Sequence, residues 1–207
     1  MIIKENIHIM AVANSYIFKM NYHEEINKAM KWLSKKKDVV FMGQTVSYPG
    51  SSMYNSLKSI SKKKKIELPV FENTQMGMSI GMALKGYVPV SVFPRMDFLI
   101  CAMDQLVNHL DKIYEMSGCE FTPGVIIRTQ VGATEPLWPG LQHCQDHSKP
   151  LDKMLDAVHV KRLKKPEDIF EEYQNAYIRA SIGQSTILVE YPQSMNKKQW
   201  EKIQNVK

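Results

Sequence analysis

Glu72 is the first residue whose type and setting could do chemistry. It follows a short apolar run and opens the Gly-punctuated segment Phe71-Glu72-Asn73-Thr74-Gln75-Met76-Gly77-Met78-Ser79-Ile80-Gly81. A carboxylate at a strand-to-helix crossing stands where α/β folds keep their working groups. It could equally serve the helix dipole and nearby backbone amides. The second candidate is the stretch 130–148, which holds Glu135, Trp138, Gln142, His143, Cys144, Asp146 and His147. Loops of this length inside a compact domain are uncommon and often functional. Three chemistries stand open for it beside an ordinary surface histidine. A metal site is one, although His143, Cys144, Asp146 and His147 fit no common ligand spacing. A Cys144–His143 nucleophile pair is another, although adjacent residues rarely present side chains to each other. The third is an acid/base or polar-contact histidine at a site rim. The last segment of interest is Phe93-Pro94-Arg95-Met96-Asp97-Phe98. Its aromatics could face a flat ring or simply fill core, and Asp97 is a natural N-cap for the helix that follows.

Alternating elements must position these residues. Apolar spacing predicts helices over 21–36, 51–61, 75–84 and 98–116, and from Pro166 to about residue 180. Runs of buried-strand type cover 38–43, 67–71, 88–93, 124–129, 158–163 and 186–190. Residues 130–150 read as a long loop. Gly77 and Gly81 lie four apart on one helix face, which predicts close approach of another backbone there. Strands separated by helices imply a doubly wound, mostly parallel α/β sheet with helices on both faces.

A chain of 207 residues fits one domain. We expect it over 21–192, between an N-terminal extension (1–20) and a C-terminal tail (193–207). A hydrophobic fraction of 44% with 23% charged residues is that of a soluble globular protein. No apolar stretch has the length of a membrane span, and the N-terminus lacks the layout of a signal peptide, so a cytoplasmic address and no membrane partner are expected. The cysteines Cys101, Cys119 and Cys144 are odd in number and widely spaced, which suits reduced thiols. The net charge of +6 gathers in lysine runs at 35–37, 62–65 and 161–165. These could form a polyanion-binding surface. No aromatics interleave them, so solvated helix ends and no nucleic-acid partner are the expectation.

Taken in order, the pieces form a longer pattern. A carboxylate is followed by a Gly-rich helix and a Gly86-Tyr87-Val88-Pro89 strand. Next come a Phe-containing turn and a helix running from Asp104-Gln105 to Met116-Ser117-Gly118. An Arg128 strand and a Gly/Pro loop with Gln142-His143 complete it. This resembles the pyrimidine-binding domain of transketolase-like thiamine-diphosphate enzymes, with the nearest likeness to the beta subunit of the 2-oxo acid dehydrogenase first component. The resemblance implies that Glu72 hydrogen-bonds N1′ of the cofactor's aminopyrimidine, with Phe98 and Pro94 lining the ring's pocket. It implies that His143 faces the substrate end, with Glu135, Trp138 and Gln142 as candidates for shaping the substrate loop. It also implies thiamine diphosphate and Mg2+ as cofactors and a small-molecule substrate. A Gly-Asp-Gly diphosphate domain is not found in this sequence. It would come from a partner subunit in a hetero-oligomer such as α2β2, and no metal ligand is expected from this chain itself. One departure stands out. Where the resemblance calls for Gly-Glu-(Glu/Asp) at a strand end, this chain has Gly43-Gln44-Thr45. A non-catalytic regulatory or assembly subunit derived from the same domain is therefore the second reading.

Overall fold

The computed structural model describes residues 21–134 and 138–192. The expected extension (1–20) and tail (193–207) lie outside these residues. Helix α1 (Tyr22–Ser34) leads to β1 (Val39–Gly43), α2 (Ser52–Leu57) and β2 (Lys65–Glu67). Then come α3 (Glu72–Leu84), β3 (Val88–Phe93), α4 (Met96–Leu99), α5 (Ile113–Met116) and β4 (Ile126–Gln130). The chain continues through α6 (Ser148–Met154), β5 (His159–Leu163), α7 (Pro166–Ser181) and β6 (Thr186–Glu190). The six strands lie in the order β2-β1-β3-β4-β6-β5, and every pairing is parallel. From β1 the chain steps outward to β2 and then returns to β3 on the other side of β1. That reversal opens a crevice beyond the carboxyl ends of β1 and β3, the usual ligand position in open α/β sheets.

Both sheet faces are buried, so the strands read as nearly unbroken apolar runs. The two-residue period sorts their side chains. Val39, Phe41, Val88, Val90, Val92, Ile126 and Leu188 pack on one face against α1 and α7. Phe93, Ile127, Ile187 and Val189 pack on the other against Met76 and Ile80 of α3 and Leu99, Ala102, Leu106 and Leu110. The same alternation puts two charged residues inside the first layer. Arg128 shares a face with Ile126, and Glu190 shares one with Leu188. Arg128 Nε and Nη2 donate to Glu190 Oε1 (2.6 Å) and Oε2 (3.1 Å), and Nη1 donates to Ser56 Oγ (2.8 Å). The Tyr173 hydroxyl donates to Glu190 Oε1 at 2.6 Å.

Several boundaries differ from the sequence expectation. The second strand is Lys65–Glu67 rather than 67–71. Pro69 offers no N–H to a ladder, and a tight turn from Phe71 N to Pro69 O diverts the chain. Helix α3 begins at Glu72 itself, not at residue 75, so the acid stands in its first turn. The expected helix 98–116 begins at Met96 and is not uniform. A 3-10 turn (Ile100–Ala102) and a π-helical stretch (Asp104–Leu110) separate α4 from α5, with Asp111 N bonded to Leu106 O at 3.0 Å. The expected loop 130–150 is shorter, because α6 opens at Ser148. At Gly77 the close neighbour is the Gln105 side chain, 3.1 Å from where a Cβ would stand, and not the backbone expected. Gly81 faces no atom within 4 Å among the described residues, so the expected close approach does not occur there. Before β2, a 3-10 turn of Lys62–Lys64 folds the Lys64 amine inward. Its Nζ donates to the carbonyls of Lys36 (2.5 Å), Lys37 (3.0 Å) and Val39 (3.0 Å). Among the described residues, no helix is long and apolar enough to cross a membrane.

Asp111 organises the turn into β5. Its side chain is closed to solvent, and it accepts the backbone N–H of Asp156 (3.2 Å), Ala157 (2.8 Å) and Val158 (3.0 Å) and the Lys112 amine (2.9 Å). Burial alone would raise its pKa, but the Lys112 and backbone hydrogen bonds outweigh it and leave the carboxyl below the usual value. A carboxyl depressed in the folded state contributes stability that is present above its unfolded pKa of about 3.9 and lost as pH falls through the folded value. Asp111→Ala should therefore destabilise the domain by about 2 kcal/mol at neutral pH. In urea titrations its cost should shrink as the pH falls from about 5 to 2. A cost independent of pH would show that the charge contributes nothing.

Candidate active site

One glycine and three hydrogen-bonded side chains build the crevice floor beside Glu72. Gly43 ends β1 at φ +140°, and a Cβ there would collide with Val92 O of β3. Only glycine fits so close an approach with that backbone. The turn that follows aims Gln44 at α3, and its Nε2 donates to Glu72 Oε1 at 2.8 Å. The Glu67 carboxylate holds the next residues by accepting Thr45 N and Ser47 N, each at 2.6 Å. These bonds sustain the positive φ of 55° at Thr45. Gln75, one turn on from Glu72, donates to Ser91 Oγ and Val92 O at 3.0 Å each and pins α3 to β3. Glu72 itself is only 7% exposed. The Gln44 amide uses one of its oxygens and leaves Oε2 without a hydrogen-bond partner among the described residues.

The other wall of the crevice is the turn after β3. Pro94 is buried, and its carbonyl accepts Gln130 Nε2 at 2.9 Å while Gln130 Oε1 accepts Ser52 Oγ at 2.9 Å. One side chain at the end of β4 thus ties this turn to α2. Phe98 meets the His143 ring edge-on, with centroids 5.6 Å apart and planes at 84°. Residues 45 positions apart in the chain are therefore brought together. His143 lies in a short 3-10 turn, Leu141–His143. Cys144 points elsewhere, with its Sγ 3.9 Å from Ala133 O, so the two side chains do not face each other as a nucleophile pair would. Among the described residues, no group of three His, Cys, Asp or Glu side chains could hold a metal ion. Asp97 does not cap α4 as expected. It sits inside the first turn, where its Oδ1 accepts Gln145 N (3.4 Å) and Gln145 Nε2 (2.9 Å).

Trp138 is 59% exposed, and Gln142 is exposed as well. Neither joins the hydrogen-bonded set. Glu135 lies outside the described residues. Gln44, Glu67, Arg95, Gln130 and Gln145 hold the site together, yet sequence reasoning assigned none of them a positive role. Gln44 carried a signal, as a polar residue directly after a strand-ending glycine. The other four carried none.

The sheet order and helix layers are those of the transketolase-like fold. The structure superimposes on a split-gene transketolase solved as an inactive beta4 tetramer, with a TM-score of 0.63 over 83% of this chain and 51% of that one, at 14% identity. It also matches transketolase from Campylobacter jejuni, with a TM-score of 0.61 over 82% of this chain and 25% of that one, at 13% identity. In sequence, the chain is similar to beta subunits of the pyruvate dehydrogenase E1 component. The likeness is 30% over 130 residues in Staurastrum punctulatum, covering 61% of this chain and 38% of that protein. It is 30% over 138 residues for the mitochondrial subunit of Saccharomyces cerevisiae, covering 62% and 36%. The match therefore spans well under half the length of these relatives. No family model matches the chain.

Proposed function

We propose that this chain is the pyrimidine-domain subunit of a two-subunit thiamine-diphosphate-dependent enzyme. It would act on a 2-oxo acid or ketose-like donor through decarboxylation and acyl or aldehyde transfer. The observation that carries the reading is Glu72, a carboxylate buried at the switch-point crevice with one oxygen fixed by Gln44 and the other open. The residues present fit an aminopyrimidine ring. Glu72 Oε2 can share a proton with a ring nitrogen in a dry site where such a bond is strong, and Pro94 and Phe98 offer apolar surface for the ring's faces. When bound, thiamine diphosphate would supply the electron sink for cleavage next to a carbonyl. His143, seated on Phe98, would hold or deliver a proton at the substrate end. Trp138 and Gln142, both exposed, and Glu135 would shape the substrate loop. The resemblance gives the diphosphate and Mg2+ to a partner with a Gly-Asp-Gly domain. The subunit names of the sequence relatives support a hetero-oligomer.

The second reading, a non-catalytic regulatory or assembly subunit, is favoured by one feature. Gln44 and Thr45 stand where the resemblance calls for acids, and an amide cannot carry a proton between paired sites. Calorimetry with thiamine diphosphate and Mg2+ separates the two. Binding should appear only when the chain is mixed with its diphosphate-domain partner, and should weaken at least about tenfold in Glu72→Ala, the loss of one charge-assisted bond. A stable complex that binds no cofactor would leave the second reading standing.

A further inference from the structure

The turn that carries His143 has little burial of its own. Leu141 is 77% exposed, Gln142 is exposed, and its internal backbone bond is His143 N to Gly140 O at 3.2 Å. What fixes it comes from the turn after β3. Arg95 Nη1 donates to His143 O at 3.0 Å. Two residues on, Asp97 Oδ1 accepts both the backbone and side-chain N–H of Gln145. Between these, His147 N reaches Met96 Sδ at 3.3 Å. Gly132 completes the arrangement, because a Cβ at that position would collide with His143 O and the Arg95 guanidinium. The imidazole that results lies edge-on to Phe98, the next residue of the same turn.

We propose that Arg95 and Asp97 form a two-point latch that seats the His143 imidazole on Phe98, and that both are positioning residues for His143. The working role of His143 rests on the function proposed above, but the latch does not. Hydrogen bonds involving a charged partner are the stronger kind, and the two bracket His143 from its own carbonyl to the residue two positions on. Asp97 Oδ2 is shielded and has no hydrogen-bond partner among the described residues, so the carboxylate acts on the loop through Oδ1 alone. Asparagine at 97 keeps that acceptor, and lysine at 95 keeps a charged donor. The conservative pair should therefore preserve what the alanine pair destroys.

The test follows Gln145 amide exchange and the His143 ring-proton shifts by NMR on this chain alone. In Arg95→Ala/Asp97→Ala, exchange at Gln145 should rise about tenfold or more, and the ring-current shift that Phe98 imposes on His143 should vanish. Arg95→Lys/Asp97→Asn should retain most of both signals, which general destabilisation would not produce. Gln145→Ala, at an exposed residue, removes only the side-chain arm and should give part of the ring-shift loss if the double variant fails to fold. An alanine pair with unchanged exchange and ring shifts would overturn the latch, and so would an unchanged ring shift in Gln145→Ala. If the latch signals respond but the complex with the diphosphate-domain partner turns over no 2-oxo acid or ketose, the proposed function fails and the latch stands.

Discussion

In the proposed two-subunit enzyme, Glu72→Gln should reduce turnover by about 1,000-fold, within the range that positioned acid–base groups contribute. The folded protein should be unaffected. The substitution keeps the side chain's length and leaves its Oε1 able to accept the Gln44 amide, so the β1–α3 contact survives. What is lost is a group that can share a proton with a ring nitrogen. A neutral amide offers a fixed donor or a fixed acceptor, and neither exchanges a proton on demand. Glu72→Asp should fall between the two, since it keeps the acid but draws it back from the crevice. The measurement is steady-state turnover over a panel of 2-oxo acids and ketoses, with far-UV spectra of each variant. Turnover within a few-fold of the parent protein in Glu72→Gln would remove the carboxylate from the chemistry and favour the regulatory reading.

Arg128→Met should cost about 3–5 kcal/mol of stability, the range seen when one member of a buried ion pair is removed. For a domain of this size that corresponds to a melting temperature lower by roughly 10 °C. Arg128 is 1% exposed and Glu190 is 4% exposed. Burial works against the guanidinium charge, but Glu190 beside it outweighs that and raises the Arg128 pKa. Among the described residues, the variant leaves the Glu190 carboxylate only the Tyr173 hydroxyl as a hydrogen-bond partner, and it deprives Ser56 Oγ of its donor. Adding Glu190→Leu should recover much of the loss, because a buried pair replaced by packed apolar groups is often neutral. Thermal and urea unfolding of the two variants would measure this. A single variant as stable as the parent protein would show that water reaches Glu190.

The periodic elements were legible because their signals are local. Ile26, Met30 and Leu33 mark α1, and the expectation for β6 coincides with the strand observed. A mostly parallel sheet was implied by strands alternating with helices, and every pairing is parallel, although no residue pattern says which strand is central. Length was misjudged where tertiary contacts override local preference. The 3-10 turn and the π-helical stretch together keep Ala102, Leu106 and Leu110 buried at four-residue spacing, a pattern that also suits an ordinary helix. Asp97 looked like a cap because it precedes an apolar run, yet its partner, Gln145, lies 48 residues away. The site divides in the same way. Glu72, Phe98 and His143 have types that chemistry singles out. Arg95, Glu67 and Gln130 act through backbone groups of distant segments, and nothing in their own neighbourhoods announces it.

The lysines before β2 have a bearing on how this molecule behaves at high concentration. A parallel sheet leaves two outer strands whose unpaired backbone groups can recruit another chain. At one of these margins the exposed ladder is cut to three residues, and the Lys62–Lys64 turn folds down beside it. Lys64 satisfies the carbonyls of Lys36, Lys37 and Val39 there, and the neighbouring lysines set positive charge along the margin, one of the ways edge strands are kept from pairing. Replacing this run with β-branched apolar residues should therefore trade solubility for self-association, read by light scattering as concentration rises.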